Sequence, residues 1–278
     1  LRVLAGIIPI DEGKIKLNGV DLSLSEGSID EQLRLNIGHM PEQVRWSGNI
    51  SVIETLNQFA EMRSASSSSK KLLSLVGLSA KSDASLDELS QGMRQRLSLA
   101  IALMGSPKIL LLDEPFNGLD PVAAKSVEKM IRELASKGVS IIISSHQVSG
   151  LVGLIDQLLL IHRGQIIADG TIDEIESRLG LDNRIEIRGL GEIPNFANLF
   201  EIENVLHSDV DGDYWICTIQ NPGVNAVKKI VDAGFEIIEW KRKSPDIVEL
   251  LCQATGLEIE DIGMELQTSN MMPLRSKT

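Results

Sequence analysis

Aromatic residues make up only 3% of this 278-residue chain. Its core therefore has to be built from Leu, Ile, Val and Ala, within an apolar content of 43%. Cysteine is almost missing. Cys217 and Cys252 form neither a disulfide framework nor a metal-ligand spacing, and a reducing, cytoplasmic setting is the default reading. Positive charge is also short. Against 39 Asp and Glu stand 27 Lys and Arg, a formal net charge of −12. Nonspecific nucleic-acid binding depends on cations neutralising phosphates, so this balance argues against it. A single nucleotide site can still be locally positive. Long apolar runs are lacking too. The stretches 109–112 and 153–161 are short or interrupted by charge, whereas a spanning helix needs about 20 apolar residues. No signal-peptide pattern is present. At this length the chain suits one large or two modest domains.

Local patterns divide the chain. Leu1-Arg2-Val3-Leu4-Ala5 reads as the last turns of a helix stopped by Gly6. Asn18-Gly19 is a hairpin-type turn signal after the alternating Lys14–Leu17. A strand is expected over Leu35–Met40, ended by Pro41, and helices over Ser51–Arg63 and Lys70–Val76, with a Ser-rich loop at Ser66–Ser69. A helix starts at Ser90 and runs to Met104. Two strands read as buried, Ile109–Leu112 and Val139–Ser144, with helix Val122–Lys137 between them. Leu158–Ile161 and Gln165–Ile167 flank the turn His162-Arg163-Gly164. Thr171-Ile172-Asp173-Glu174 is a capping-box pattern opening a helix that ends near Gly180. Beyond residue 181 the texture changes to an α+β unit, with strands at Arg184–Arg188, Tyr214–Ile219 and Phe235–Trp240. Its helices fall at Val224–Ala233 and Pro245–Ala254. From Gly256 onward the composition suggests a flexible tail.

Four phrases carry chemistry. Ile109-Leu110-Leu111-Leu112 delivers Asp113-Glu114-Pro115 to the carboxyl end of a buried strand, where α/β sheets bind ligands. Asp113 there can hold Mg²⁺ and Glu114 can polarise a water. Leu89-Ser90-Gln91-Gly92 precedes a helix. Ser90 can cap it, and its free amides favour an anion. Gly118-Leu119-Asp120-Pro121 places Asp120 six residues after Glu114, and Ser144-Ser145-His146 places His146 32 residues after it. Alone, each phrase is an acidic turn, a helix cap, an ordinary turn or a structural histidine. His39, His162 and His207 have no such company and read as bland.

In this order and spacing, with Met93-Arg94-Gln95-Arg96 continuing the helix, the phrases resemble the nucleotide-binding domain of an ABC transporter. The resemblance covers roughly residues 1–180. It implies an α/β fold with a P-loop NTPase-type (RecA-like) core, a helical subdomain insertion at about 47–100, and a small C-terminal α+β domain at 181–255. Residues 256–278 follow as a flexible tail. It implies an ATPase with ATP and Mg²⁺ as cofactors. Asp113 would hold the metal, Glu114 would act on the water, and His146 would bond the γ-phosphate. Ser90 and Gly92, with Gln91, would contact ATP bound to a second ATPase subunit, in a homo- or heterodimer. Asp120 would align the two subunits.

Ile37-Gly38-His39-Met40-Pro41-Glu42-Gln43 resembles the loop that reaches the metal or water and senses an integral-membrane permease. The usual Gln directly follows Pro, so register favours Glu42, with Gln43 next to it. Val52, Leu56 and Phe59 face either that permease or, more ordinarily, the core. The phosphate-binding phrase G-x-x-x-x-G-K-[ST] is not in the chain. Six residues instead of four separate Gly6 from Gly13-Lys14, and Ile15 replaces the hydroxyl. The expectation is that an N-terminal truncation removed it. The implied function is ABC-2-type export at the cytoplasmic face of the membrane, as a peripheral subunit with no nucleic-acid partner. The alternatives are a non-transport ABC ATPase, or a truncated cassette acting as a regulatory or heterodimer partner.

Overall fold

A computed structural model describes residues 1–17, 19–21, 36–43, 45–65, 67–146, 151–200 and 204–258. They fall into two units, Leu1–His146 and Gln147–Thr278. Asn18, Leu35, Ser66 and residues 259–278 of the expected elements lie outside the described residues.

In the first unit, Leu1–Ala5 closes a helical turn, with the Ala5 N–H 2.9 Å from the Leu1 carbonyl. Gly6 follows at φ +68°. β1 (Lys16–Leu17) and β2 (Val20–Asp21) form the small antiparallel hairpin that Asn18-Gly19 signals. β3 (Ile37–Met40) leads through Pro41 and Glu42 to α1 (Val52–Met62) and α2 (Ser69–Leu75). Ser51 and Glu54 satisfy the first amides of α1 reciprocally, as a capping box. Val52 and Leu56 are fully buried, so the plain core reading holds for both. Phe59 stands edge-on to Trp46, ring centroids 5.8 Å apart. After two short 3₁₀ turns, α3 (Gln91–Ala102) leads to β4 (Ile109–Asp113). α4 (Pro121–Ser136) then leads to β5 (Ser140–Ser144).

β3, β4 and β5 form a parallel sheet with β4 in the middle. Leu110, Leu111 and Leu112 are sealed, as their unbroken apolar run demands of a strand covered on both faces. Gly38 lets α3 close onto the sheet: a Cβ there would stand 2.1 Å from the Ala102 carbonyl oxygen. β5 corrects the expectation of a second buried strand. It pairs on one side only among the described residues, and Ile142 is 44% exposed.

The second unit opens with the antiparallel hairpin β6 (Leu158–His162) and β7 (Gln165–Gly170). Its turn residues, Arg163 and Gly164, both have positive φ. α5 (Ile172–Arg178) carries the capping box of Thr171 and Glu174. Then come β8 (Arg184–Leu190), the short α6 (Phe196–Leu199), β9 (Val205–Asp211), β10 (Tyr214–Gln220), α7 (Ala226–Asp232), β11 (Glu236–Arg242) and α8 (Ile247–Thr255). The order β11-β8-β10-β9, antiparallel throughout, makes β8 to β11 a β-α-β-β-α-β plait of ferredoxin-like type.

One core of the plait gathers Ile187, Phe196, Phe200, Trp215, Cys217, Ile219, Ala226 and Ile230. A second core joins Leu160, Ala168, Ile175 and Leu181 to Leu250 and Leu251 of α8. Three ion pairs brace it: buried Arg184 with Glu249, and Arg242 with both Glu176 and Asp173. β9 was not expected. Val-Leu-His-Ser-Asp-Val-Asp has no clean apolar alternation, because an outer strand exposed along its length needs none. No helix among the described residues is long and apolar enough to cross a membrane.

Candidate active site

The register of β4 against β5 builds the centre of the site. Asp113 lies opposite Ser144, whose hydroxyl donates to Asp113 Oδ1. The chain leaves the sheet at Glu114 with φ +49°, a left-handed backbone that a side chain of this size adopts only when its surroundings hold it. Here they do. The Glu114 N–H points at both the carbonyl and the hydroxyl oxygen of Ser144, each at 3.2 Å. The Glu114 carbonyl accepts from Gln95 Nε2 at 3.0 Å, from the first turns of α3. The bend turns the Glu114 carboxylate toward the end of β5, where Oε1 stands 3.4 Å from His146 Nε2. It also accepts the His146 backbone N–H.

Glu114 is well covered, with 14% of its side chain exposed, while His146 is 80% exposed. Burial raises the Glu114 pKa above the usual carboxylate value. His146 opposes the shift by its charge and its N–H, whereas Glu42 and Asp113 add to it. Glu42 thus stands near enough to be felt as a like charge, exposed beside the equally exposed Gln43 at the end of β3. A carboxylate in this setting is suited to taking a proton from a water.

A second group forms around the N-terminus of α3. Ser90 caps the helix, accepting the Met93 N–H at 3.3 Å. Gln91 and Gly92 lie on the turn at Gly118. That turn has φ +72°, and a Cβ on Gly118 would meet Gln91 Nε2 at 2.7 Å. A Cβ on Gly92 would touch the Gly118 carbonyl and Leu119 at 3.4 Å. Asp120 has a local task. Its Oδ1 accepts the N–H groups of Val122 and Ala123 at 3.0 and 2.9 Å and caps α4. Farther along α3, Arg96 reaches the carbonyls of Val76 and Gly77, and Ser98 accepts from Trp46 Nε1 at 2.8 Å.

Asp113, Glu114, His146 and Glu42 therefore form one group, and Ser90, Gln91, Gly92 and Asp120 border another. Two positioning residues escaped the sequence reading. Ser144 braces the Asp113 carboxylate and the Glu114 backbone, and Gln95 ties the groups together. Aligning the two strands so that Asp113 faces Ser144 would have exposed the first, since both phrases were already in view. Gln95 had no signal beyond its place in the helix.

The donors suit a nucleotide's terminal phosphate with its Mg²⁺ and attacking water. Among the described residues, no group of three His, Cys, Asp or Glu side chains could hold a metal alone. Asp113 would have to share the ion with phosphate oxygens and waters, which is how Mg²⁺ is usually held.

The chain is similar to known proteins in sequence and in fold. The family described as "ABC transporter" matches residues 1–117. An uncharacterized ABC transporter ATP-binding protein of Rhizobium meliloti (strain 1021) is 30% identical over 178 residues, covering 62% of this chain and 65% of that protein. The Nod factor export ATP-binding protein I of Burkholderia lata is 30% identical over 269 residues, covering 94% of this chain and 84% of its own length. A solved ATP-binding subunit of an ABC transporter superposes with a TM-score of 0.57 at 26% identity, over 65% of this chain and 75% of that one.

Proposed function

Because the chain belongs to the ATP-binding subunits of ABC transporters, a P-loop NTPase-fold family of ATPases, we propose that it couples ATP hydrolysis to export through a separate membrane permease. The observation that carries the reading is the pinned Glu114, bent toward His146 with Asp113 beside it. Glu114 takes the proton of the attacking water. His146, exposed and 3.4 Å from Glu114, bonds the terminal phosphate and holds that water in line. Asp113, oriented by Ser144, would hold Mg²⁺, which would neutralise charge on the phosphates. Ser90, Gln91 and Gly92 present a capped helix N-terminus to ATP carried by a second ATPase subunit, and Asp120 lies at the seam. Glu42 and Gln43, on the loop after β3, sense the water and the permease.

Residues 1–180 serve as the ATPase domain, residues 181–255 as an appendage, and the subunit lies peripherally on the cytoplasmic face. The export direction draws on the relative from Burkholderia lata, which is named for Nod factor export and aligns along 94% of this chain. The chain contains no G-x-x-x-x-G-K-[ST] phrase, so Mg-ATP titration of this chain measures what its own residues hold without one.

The decisive test is Glu114→Gln in a version of the protein that carries the phosphate-binding phrase. Turnover is expected to fall by two orders of magnitude or more, about the worth of a general base, while ATP binding persists and the closed dimer accumulates. Parental turnover in that variant would remove Glu114 from the mechanism.

A further inference from the structure

The plait ends at β9, and among the described residues no strand pairs with its outer side. All but the first of its residues are exposed. The two-residue turn Gly212-Asp213 sets Asp211 opposite Tyr214, Asp209 opposite Ile216 and His207 opposite Thr218. In such a hairpin the pair beside the turn exchanges both of its hydrogen bonds, and the bonding alternates from there. The backbone groups of Asp211, Asp209 and His207 thus face β10, and those of Val210 and Ser208 face outward, where the Val210 N–H donates to Asp209 Oδ1 at 2.8 Å, a local bond that strand addition would exchange. The edge carries no Lys and no Pro, two common guards against strand addition.

We propose that a second copy of this chain occupies that edge. Two β9 strands pair antiparallel about a two-fold axis at Ser208 and join two four-stranded sheets into one. The sequence of the strand selects both the partner and the register. With the axis at Ser208, each Ser208 N–H donates to the other's Ser208 carbonyl, Val210 faces Leu206, and His207 faces Asp209 on both sides of the axis. The His207 and Asp209 pairs fall at positions without mutual backbone bonds, where opposing side chains come closest. An axis at Val210 would set Asp209 against Asp211 twice. An axis at Asp209 would set that carboxylate against itself. An axis at His207 would set that imidazole against itself and place Asp209 opposite Val205, leaving the carboxylate without a cationic partner. Near Leu206 the β9–β10 register shifts, so a bulge ends the ladder on that side. The Ser208 register alone pairs histidine with carboxylate and apolar with apolar.

This surface is distinct from the Ser90–Gly92 seam, and its use needs no nucleotide, so its test does not depend on the proposed function. The full chain without nucleotide is examined by sedimentation across a range of concentrations, with amide exchange read over 205–211. A reversible dimer is expected, with the Ser208 and Val210 amides gaining protection as concentration rises. Ser208→Pro removes an outward N–H that β10 does not use, which an edge strand tolerates. It should weaken the dimer at least about tenfold, with far-UV dichroism unchanged. His207→Asp sets two carboxylates face to face and should weaken the dimer likewise. Adding Asp209→His to that variant restores the complement and should recover the dimer. A monomer at every concentration would overturn the proposal. So would a dimer indifferent to Ser208→Pro, or a double variant no better than His207→Asp.

Discussion

Gly189 occupies a place where a single methyl group cannot fit. Its Cβ would lie 2.0 Å from Cζ2 of the fully buried Trp215 and 2.4 Å from the Glu236 carbonyl. The indole packs edge-on against Phe196 on one side, with ring centroids 5.4 Å apart, and cannot withdraw freely. Gly189→Ala is therefore expected to cost about 1–3 kcal/mol, the range for overpacked cores, measured by urea denaturation. Cys217 lies in the same core, and burial pushes its thiol up to about 12. It should resist maleimide at neutral pH in the native protein and label only on unfolding, whereas the partly exposed Cys252 should label first. Fast native labelling of Cys217 would show that the plait opens. At this scale the sequence revealed which residues carry charge and chemistry, but not how they are aimed. The spacing of 32 residues between Glu114 and His146 became a 3.4 Å contact only because Glu114 takes a left-handed backbone, and nothing in its letter announces that.

Among the elements, those with a polar start and an apolar stripe were legible. Ser51, Ser90, Thr171 and Asp246 each cap the helix that follows them, and the leucines of β4 admit no other placement than a covered strand. The elements decided by neighbours were not. β9 is polar because, among the described residues, one strand alone pairs with it, and β5 is apolar yet half exposed for the same reason. Three capping boxes hold their glutamates below the ordinary value. The side-chain bond from Ser51 acts first on Glu54, that from Ser85 on Glu88, and the backbone bond from Thr171 on Glu174. Their folded pKa values are depressed, so their contribution to stability is complete above the unfolded value of about 4.3 and is lost as pH falls through the folded ones. Glu174→Ala should accordingly destabilise the protein at neutral pH, and its deficit against the parent should shrink in acid. A deficit that stays constant with pH would mean that the carboxylate does not bond the Thr171 amide.

For the molecule as a whole, the charge of −12 is the property most directly open to measurement. Self-repulsion opposes the compact state and is screened by salt, so the melting temperature should rise from low to physiological ionic strength, a trend that calorimetry can follow. A flat response would show that the carboxylates are already neutralised locally, as Arg242 neutralises Asp173 and Glu176. The order of phrases along the chain was enough to place the ATPase family, because Asp113, Glu114, Ser90 and His146 all sit at strand or helix ends, which short patterns mark well. The connectivity of the plait was out of reach of the sequence, since its two cores draw on residues far apart in the chain. Helix α3 joins three separate places in the chain. Its first turn rests on the turn at Gly118, Gln95 grips the backbone of Glu114, and Ser98 holds Trp46 beyond the loop that follows β3. Spanning about 18 Å as a rigid rod, it works as a crankshaft. A displacement of its outer end would therefore pull on the backbone that aims the Glu114 carboxylate.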